Sequence, residues 1–583
     1  MNKHRSFGEL RLAAVQSFVR TAILIDNEPT AASPLGPEVE PMVAVSAAYG
    51  AEAVSALQPR DAEALGGSQA ALPINAAPKT GDAGHRLWVQ PVTNGFANRR
   101  ITCGFYFPAN DEGSVVSTAL NAARHVDATI VDWQLRPNDT TPARELIAEL
   151  IKDDRSAGGR LRLIVVYTGE RGIDRECKDL HDYLRAQGFD DLVPEDQDRA
   201  LRGRNVLITF ANKPRALEGG LGELAGPGAR PIPWGELPAF VLGQYASLTK
   251  GLLQSFALKA IGAVRDDTHH LLSVFDPDLD GAFLAQRAGI GSPTDAEEMM
   301  TGLLTSEFAC SILDRGVATE ILGPHGAVHV LEARAAPATI KVKKYETAEM
   351  LYKKIVQTPV GGSKSIKADK VSLTRLVEVG LDSGVIELKS DEIKSLKKQF
   401  FPDDMKALTS LSNFARMALF CREAAGERRI TREAIYLTGG VILRSVAKAG
   451  KAERYLLCVQ PGCDAVRLTE DTAFPFCPLV PGSATFDLVL RVDGEDKYLK
   501  VDRTPRNLTM IKFTPHAKKK CVTPKLRKSK IGFASSADGV FWEFVAELRP
   551  PESQHFTTLL VGKFNRVALN GSEWLRLHGS GGG

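Results

Sequence analysis

The sequence predicts an α/β protein whose amino-terminal part is a doubly wound, five-stranded parallel sheet, followed by mostly helical and then β-rich α+β regions. Three observations lead to this prediction. Short, β-branched apolar runs recur up to residue 214, as in strands buried on both faces. Segments with helical spacing separate these runs, and strands that alternate with helices form parallel sheets. From about residue 430, short alternating runs replace the helical pattern.

The predicted elements follow one another in regular order. A helix at 9–20 leads into the first strand, and further helices lie at 115–126, 142–152 and 173–187. Proline stops the first and the last strand, because it has no amide proton for the ladder. Right-handed crossovers place the carboxyl ends of all the strands at one edge of the sheet. The five predicted strands are residues 21–29, 101–107, 128–135, 161–169 and 205–214.

Length and composition indicate several domains. A chain of 583 residues is too long to fold around one hydrophobic core. Its contents of 44% hydrophobic and 25% charged residues are ordinary for a globular protein. The net charge of +3 favours no particular partner. No apolar run is long enough for a membrane span or a signal peptide, so we expect a cytoplasmic protein with no membrane partner. The predicted domains are 1–230, α/β with a long insertion at about 30–98; 231–335, helical; 336–428, a Lys-rich helical module; 429–578, β-rich α+β; and 579–583, a flexible tail.

Polar residues end the predicted strands, so one edge of the sheet should gather them. Clustered carboxylates suit a hard cation such as Mg²⁺, which takes a few protein oxygens and keeps several waters. A carboxylate beside that cation can attack a phosphoryl group and form an aspartyl-phosphate. The cation and a lysine would neutralise the transferring group. The residues at this edge are Asp26, Asn27, Glu28, Asp132, Thr168 and Lys213.

Four short motifs and one aromatic residue, spread over four of the five predicted strands, resemble the receiver domain of two-component response regulators. The resemblance covers about residues 15–220 and implies a flavodoxin-like receiver fold. The aromatic residue is Phe210, three residues before the lysine of the last motif. The motifs are Ile23-Leu24-Ile25-Asp26-Asn27-Glu28, Val131-Asp132-Trp133-Gln134, Thr168-Gly169 and Lys213-Pro214.

The resemblance implies a role for each matching position. Asp132 would be the phosphoacceptor, and Thr168 and Lys213 would bind the phosphoryl group. Asp26 and the carbonyl group of Gln134 would help Asp132 to hold Mg²⁺. Phe210 would be the aromatic switch that works together with Thr168.

Two departures from the family pattern bear on this prediction. The usual acidic pair is Asp26-Asn27 here, so one charged ligand is lost, and Glu28 is the candidate that compensates. The insertion after the first strand is far longer than in ordinary receivers. Long, divergent receivers of this kind resemble the stand-alone receiver protein of bacterial anti-phage two-component systems. That resemblance implies two partners, a sensor histidine kinase and a receiver-linked effector protein.

Three functions are compatible with the pattern to different degrees. The first is phosphoryl transfer from a kinase phosphohistidine onto Asp132, with action through partner binding or as a phosphate sink. The second is a pseudo-receiver that docks proteins without being phosphorylated, which Asn27 motivates. A haloacid dehalogenase-like phosphatase is disfavoured, because Gln134 stands where that family needs a second aspartate. We find no motif of a catalytic output domain, so we do not expect an enzyme.

The carboxyl-terminal part offers weaker signals. Cys458, Cys463 and Cys477 lie near a Pro-Gly turn, and their spacing leaves zinc binding open while favouring buried thiols. A basic segment at 516–530 lacks interleaved aromatic residues, so a flexible charged loop is the favoured interpretation. We therefore do not expect nucleic acid to be a partner.

Overall fold

The structure is a computed structural model that divides into two compact units, Met1–Thr268 and His269–Gly583. Each unit is described separately. None of the helices among the described residues has the length and apolar content needed to cross a membrane. The described residues are 6–27, 29–30, 87–108, 115–170, 172–217, 220–222, 230–289, 293–322, 404–425, 435–445, 453–482 and 485–564.

The first unit alternates strands and helices. Its helices are α1 (Phe7–Phe18), α2 (Val89–Ala97), α3 (Val115–Ala123), α4 (Thr141–Ser156), α5 (Ile173–Ala186), α6 (Leu237–Leu248) and α7 (Leu252–Val274), the last of which crosses the unit boundary. Its strands are β1 (Thr21–Ile25), β2 (Pro29–Thr30), β3 (Leu87–Trp88), β4 (Thr102–Tyr106), β5 (Ala128–Val131), β6 (Arg162–Thr168), β7 (Val193–Glu195), β8 (Ala200–Arg202), β9 (Val206–Asn212), β10 (Arg215–Leu217) and β11 (Gly220–Gly222).

The main sheet of this unit has seven strands in the order β4-β1-β5-β6-β9-β8-β7. The first five run parallel, and by position in the chain their order is second, first, third, fourth, fifth. This is the doubly wound, flavodoxin-like order, so the predicted fold class is confirmed. Strands β7 and β8 extend the sheet by antiparallel pairing and were not predicted. Each spans only three residues, which is too short for a hydrophobic period to show.

Helices cover both faces of the sheet. Alternate residues of β1 enter opposite cores, because successive side chains of a strand point to opposite faces. Ile23 and Ile25 belong to the core under α3, α4 and α5, whereas Ala22 and Leu24 belong to the core under α1, α2 and α6. The strands are therefore buried on both sides, as their continuous apolar runs predicted.

The predicted insertion at 30–98 is described only at its ends. Residues 87–97 form β3 and α2, and Val92 and Phe96 of this helix are buried in the core. Helix α2 comes so close to a 3₁₀ turn at Trp234–Glu236 that a Cβ on Gly95 would lie 2.7 Å from the carbonyl oxygen of Gly235. Most of the predicted Lys-rich module at 336–428 and the predicted tail at 579–583 lie outside the described residues.

The second unit contains the predicted helical and β-rich regions. Its 10-stranded sheet pairs antiparallel in the order β16-β17-β15-β14-β13-β21-β20-β19, with β12 on β21 and β18 on β15. Its helices are α8 (Leu279–Gly289), α9 (Pro293–Asp314), α10 (Val317–Leu322), α11 (Asp404–Leu419) and α12 (Pro550–Phe564). Its strands are β12 (Phe420–Glu423), β13 (Val441–Ser445), β14 (Arg454–Cys458), β15 (Thr472–Pro481), β16 (Leu488–Val492), β17 (Glu495–Val501), β18 (Thr509–Phe513), β19 (Lys525–Arg527), β20 (Lys530–Ala534) and β21 (Phe541–Leu548).

The three cysteines near the Pro-Gly turn of the second unit lie apart. Cys458 belongs to one hydrophobic core of the sheet and Cys477 to the other, while Cys463 is exposed. Burial raises the pKa of the Cys458 thiol to about 12 and that of the Cys477 thiol to about 11. Both buried residues therefore behave as small apolar side chains within the core.

Candidate functional site

Three charged side chains meet at the carboxyl edge of the parallel sheet. Asp26 follows β1, Asp132 follows β5 and Lys213 follows β9. The Nζ atom of Lys213 lies 2.6 Å from Oδ2 of Asp26 and 2.8 Å from Oδ2 of Asp132. All three residues are buried, and Asp132 is the most exposed at 8%. The structure thus brings together the phosphoacceptor, a metal ligand and the lysine that the resemblance implied.

The backbone of the sheet holds these three residues in place. The amide of Asp132 donates to the carbonyl oxygen of Ile25 over 2.8 Å, which continues the ladder between β1 and β5. The amide of Lys213 donates to the carbonyl oxygen of Thr168 over 2.8 Å and so continues the ladder between β6 and β9. Because these bonds extend parallel ladders past the strand ends, the side chains inherit the register of the buried strands.

The three groups carry one more negative charge than positive charge. Burial raises the pKa of Asp132 to about 6; the charge of Asp26 also raises it, and Lys213 partly opposes both. Burial alone would lower the pKa of Lys213, but Asp132 and Asp26 outweigh it and hold that pKa above its usual range. A lysine shared by two carboxylates satisfies neither fully, so the cluster favours a further cation or a proton.

Thr168 ends the neighbouring strand β6 and is buried. Its hydroxyl oxygen accepts a hydrogen bond from the amide of Glu170 over 3.1 Å. Asn212 pairs with Thr168 across the sheet, and its side-chain amide donates to the carbonyl oxygen of Glu170. The side-chain oxygen of Asn212 accepts from the amide of Arg230 over 2.9 Å. These bonds fix the loop after Thr168 beside the residue that precedes Lys213.

The side chains of Gln134 and Trp133 bind glutamates in the loop after β6 and in α5. Nε2 of Gln134 donates to Oε1 of Glu170 over 2.6 Å, and Nε1 of Trp133 donates to Oε2 of Glu176 over 2.6 Å. The side chain of Gln134 is therefore engaged by Glu170, and the metal role that the resemblance implies concerns only the carbonyl group of Gln134.

Phe210 is fully buried on β9, three residues before Lys213. Its ring meets the ring of Trp133 edge-on, with the centroids 5.4 Å apart. The residue proposed as a switch thus contacts the residue that directly follows Asp132.

Sequence reasoning missed two residues of this edge, Glu170 and Asn212. Glu170 binds Gln134 through its side chain and Thr168 and Asn212 through its backbone. The signal for Asn212 was its position directly before the lysine; Glu170 had none, because its contacts depend on the path of a loop. Glu28, the candidate compensating ligand, lies outside the described residues, and Asn27 is half-buried.

The topology and this edge agree with what the family comparison finds. The family model described as a response receiver domain matches residues 18–217. These residues form a receiver domain. No curated protein and no solved structure matches the chain significantly. A receiver domain is usually a non-catalytic signalling module, and the matched residues contain the whole parallel part of the sheet.

The oxygen donors of the receiver domain fit Mg²⁺ by their chemistry. The buried carboxylates of Asp26 and Asp132 both lie beside the ammonium group of Lys213, and carboxylate oxygens are ligands that suit a hard cation. Magnesium needs only one or two carboxylates, because it keeps several waters. Within the described residues no group of three or more His, Cys, Asp or Glu side chains could hold a metal ion. A magnesium site here therefore depends on two carboxylates, a backbone carbonyl and water.

Proposed function

We propose that the receiver domain accepts a phosphoryl group from a histidine kinase onto Asp132. One observation carries this proposal: at the carboxyl edge, Nζ of Lys213 lies within 2.8 Å of a carboxylate oxygen of both Asp26 and Asp132. A nucleophilic carboxylate, a second carboxylate and an ammonium group at one site are the components that phosphoryl transfer to an aspartate requires.

The transfer of the phosphoryl group to Asp132 forms one bond to phosphorus and breaks one. A carboxylate oxygen of Asp132 forms a bond to phosphorus, and the bond from phosphorus to the imidazole nitrogen of the kinase breaks. The electron pair of that bond stays on the imidazole, which takes up a proton, and an acyl phosphate remains on Asp132. Lys213 shifts from the carboxylate to a phosphoryl oxygen and neutralises its charge. The hydroxyl group of Thr168 donates to another phosphoryl oxygen.

A bound magnesium ion would supply further neutralisation of the phosphoryl oxygens. Asp26, Asp132 and the carbonyl group of Gln134 would hold it, with Glu28 as a further candidate ligand. Asn27 stands where a second charged ligand is usual, so we expect weaker metal binding than in receivers with an acidic pair.

The proposed output is a change in partner binding, or the removal of phosphate from a leaky kinase. In the first case Phe210 and Thr168 would respond to the phosphoryl group, and the packing of Phe210 against Trp133 supports a link to the residue beside Asp132. The proposed partners are a sensor histidine kinase and a receiver-linked effector protein, in bacterial signalling or anti-phage defence.

The test is to incubate the full chain with Mg²⁺ and a labelled acyl phosphate donor. We expect a label that is stable in acid and labile in base, as an acyl phosphate is. Asp132→Asn should abolish it. Asp139→Asn is the matched control, because Asp139 lies in the same loop and its carboxylate accepts from the amide of Thr141 at the start of α4. Equal labelling of both variants would refute the assignment of Asp132.

A second candidate function is a pseudo-receiver that docks proteins without phosphorylation. The observation that favours it is the amide at Asn27, where receivers usually have a second acid. The absence of any label from both a small donor and a cognate kinase, with kinase binding retained, would support this function instead.

A further inference from the structure

A long stretch of the second unit contains basic residues and no acidic ones. Residues 503–537 include ten lysines and arginines and no aspartate or glutamate. Residues 516–530 of this stretch have a defined fold in the structure, whereas the sequence predicted a flexible charged loop there. The amide of His516 donates to the carbonyl oxygen of Cys521, and the amide of Leu468 to that of Lys520, both over 2.8 Å. Strands β19 and β20 follow as a hairpin at the end of the sheet.

The hairpin turn displays its basic residues at a conformational cost. Lys528 and Ser529 connect the strands with φ angles of 49° and 64°. Both lie in the left-handed region, where turns normally use Asn and Gly because other residues are strained there. Arg527 and Lys530 also face each other directly across the two strands, and like charges in that position are unfavourable.

Neighbouring acids neutralise only one side of this hairpin. Lys530 lies 2.9 Å from Glu543 and 3.7 Å from Asp493. Six other basic side chains between residues 518 and 528 are exposed, and none has an ion pair with an acid in the part of the chain that the structure describes. We call them the basic patch: Lys518, Lys519, Lys520, Lys525, Arg527 and Lys528.

Protection of the sheet edge explains only part of the basic patch. Lysines on an edge strand discourage pairing with another sheet, and Lys525 and Arg527 lie on such a strand. Lys518, Lys519 and Lys520 do not, since they precede β19 in a turn. Four residues lie between Lys520 and Lys525, so the Cα atoms of these two lysines are at most about 18 Å apart. The charge therefore extends beyond the edge that needs protection.

We propose that the basic patch binds the phosphate backbone of duplex DNA. Strand β20 also pairs with β21, so the hairpin forms the edge of the sheet, and its cations lie on the outer strand β19 and in the turn. Duplex DNA presents a regular array of phosphates, one charge per about 1.7 Å of helix axis, and closely spaced lysines and arginines can neutralise such an array. Lysines act as point charges toward phosphates, so binding is independent of base sequence and falls steeply with salt. The patch lies outside the receiver domain, and the proposal does not depend on phosphorylation of Asp132. It replaces the expectation from sequence that nucleic acid is not a partner.

The test measures binding of the full chain to a fluorescent duplex of about two helical turns (~20 base pairs) between roughly 50 and 200 mM salt. The test variant is Lys525→Gln, Arg527→Gln, Lys528→Gln. The matched control is Lys497→Gln, Lys500→Gln, Lys563→Gln, which removes the same charge from exposed or half-buried positions outside the patch. Far-UV circular dichroism and thermal unfolding show that each variant is folded.

We expect the test variant to bind at least about 30-fold more weakly at the low end of this salt range, with the salt slope reduced by about 3. The affinity of the control variant should stay within about twofold of the wild-type affinity, because charges outside the patch act only through a small, screened long-range effect. Four results would overturn the proposal: no binding of the wild type at low salt, equal losses in both variants, tighter binding of single-stranded DNA of the same length, or equal competition by polyglutamate of the same charge.

Discussion

The two edges of the parallel sheet use the same kinds of charged residues in opposite ways. At the carboxyl edge, Asp26 and Asp132 share the single ammonium group of Lys213. At the amino edge, Asp127 receives two bonds of 3.0 Å from Arg265, and the backbone amides of Arg20 and Thr21 also donate to it. Asp127 is thus bound by one guanidinium group and two backbone amides, whereas at the carboxyl edge two carboxylates share one ammonium group.

A second pair at the amino edge shows the same balance. Arg162 donates to both carboxylate oxygens of Asp154, over 2.8 and 2.7 Å, and also to the carbonyl oxygens of Ala123 and Arg124. Bidentate pairing of one acid with one base leaves nothing for a ligand to neutralise. Charge balance, rather than burial, therefore distinguishes the carboxyl edge from the amino edge.

Removal of Lys213 should produce the largest change in stability at neutral pH. In Lys213→Met two buried carboxylates face each other, and we expect a loss of about 3 kcal/mol or more in the free energy of unfolding. Lys213 lowers the pKa of Asp132, so its removal should raise that pKa further. An acid with a raised pKa in the folded state stabilises the protein below that pKa, and this stability is lost as the pH rises through it.

The loss in Lys213→Met should therefore be smaller at about pH 5 than at about pH 7.5, which thermal unfolding at the two pH values can measure. Asp26→Asn added to this variant should recover part of the stability at the higher pH. An equal loss at both pH values would show that the three groups do not form one charge cluster.

The next largest loss of stability is expected at the amino edge, where a buried base, rather than a buried acid, loses its partner. Asp154→Ala leaves the guanidinium group of Arg162 buried at 1% exposure without its acid, and we expect a loss of about 3 kcal/mol. Arg162→Met together with Asp154→Ala should cost less than the single change, because no unpaired charge remains. Urea unfolding followed by fluorescence measures both. Labelling of Asp132 should survive in the folded fraction, and loss of labelling there would break the distinction between the two edges.

The sequence predicted the fold and the carboxyl edge for one physical reason. Parallel strands buried on both faces need continuous apolar runs, and their order places the following residues, Asp26, Asp132 and Lys213, at one edge. The amino edge was not predicted, because Asp127 and Arg265 lie 138 positions apart and meet only through the path of α7. Glu170 escaped for the same reason, since a loop rather than a strand positions its carboxylate.

The smallest predicted effect concerns the pH at which Asp132 reacts. Burial and the charge of Asp26 raise its pKa to about 6, and only the ionised carboxylate is a nucleophile. At limiting Mg²⁺, the initial rate of labelling should rise about tenfold per pH unit below this value and level off above about pH 7. In Asp26→Asn the neighbouring charge is gone, so the midpoint should move to lower pH even though the rate falls. If ionisation of the phosphate donor caused the profile instead, the midpoint would be the same in Asp26→Asn as in the wild type. Such a result would show that the carboxyl edge does not cause the pH dependence.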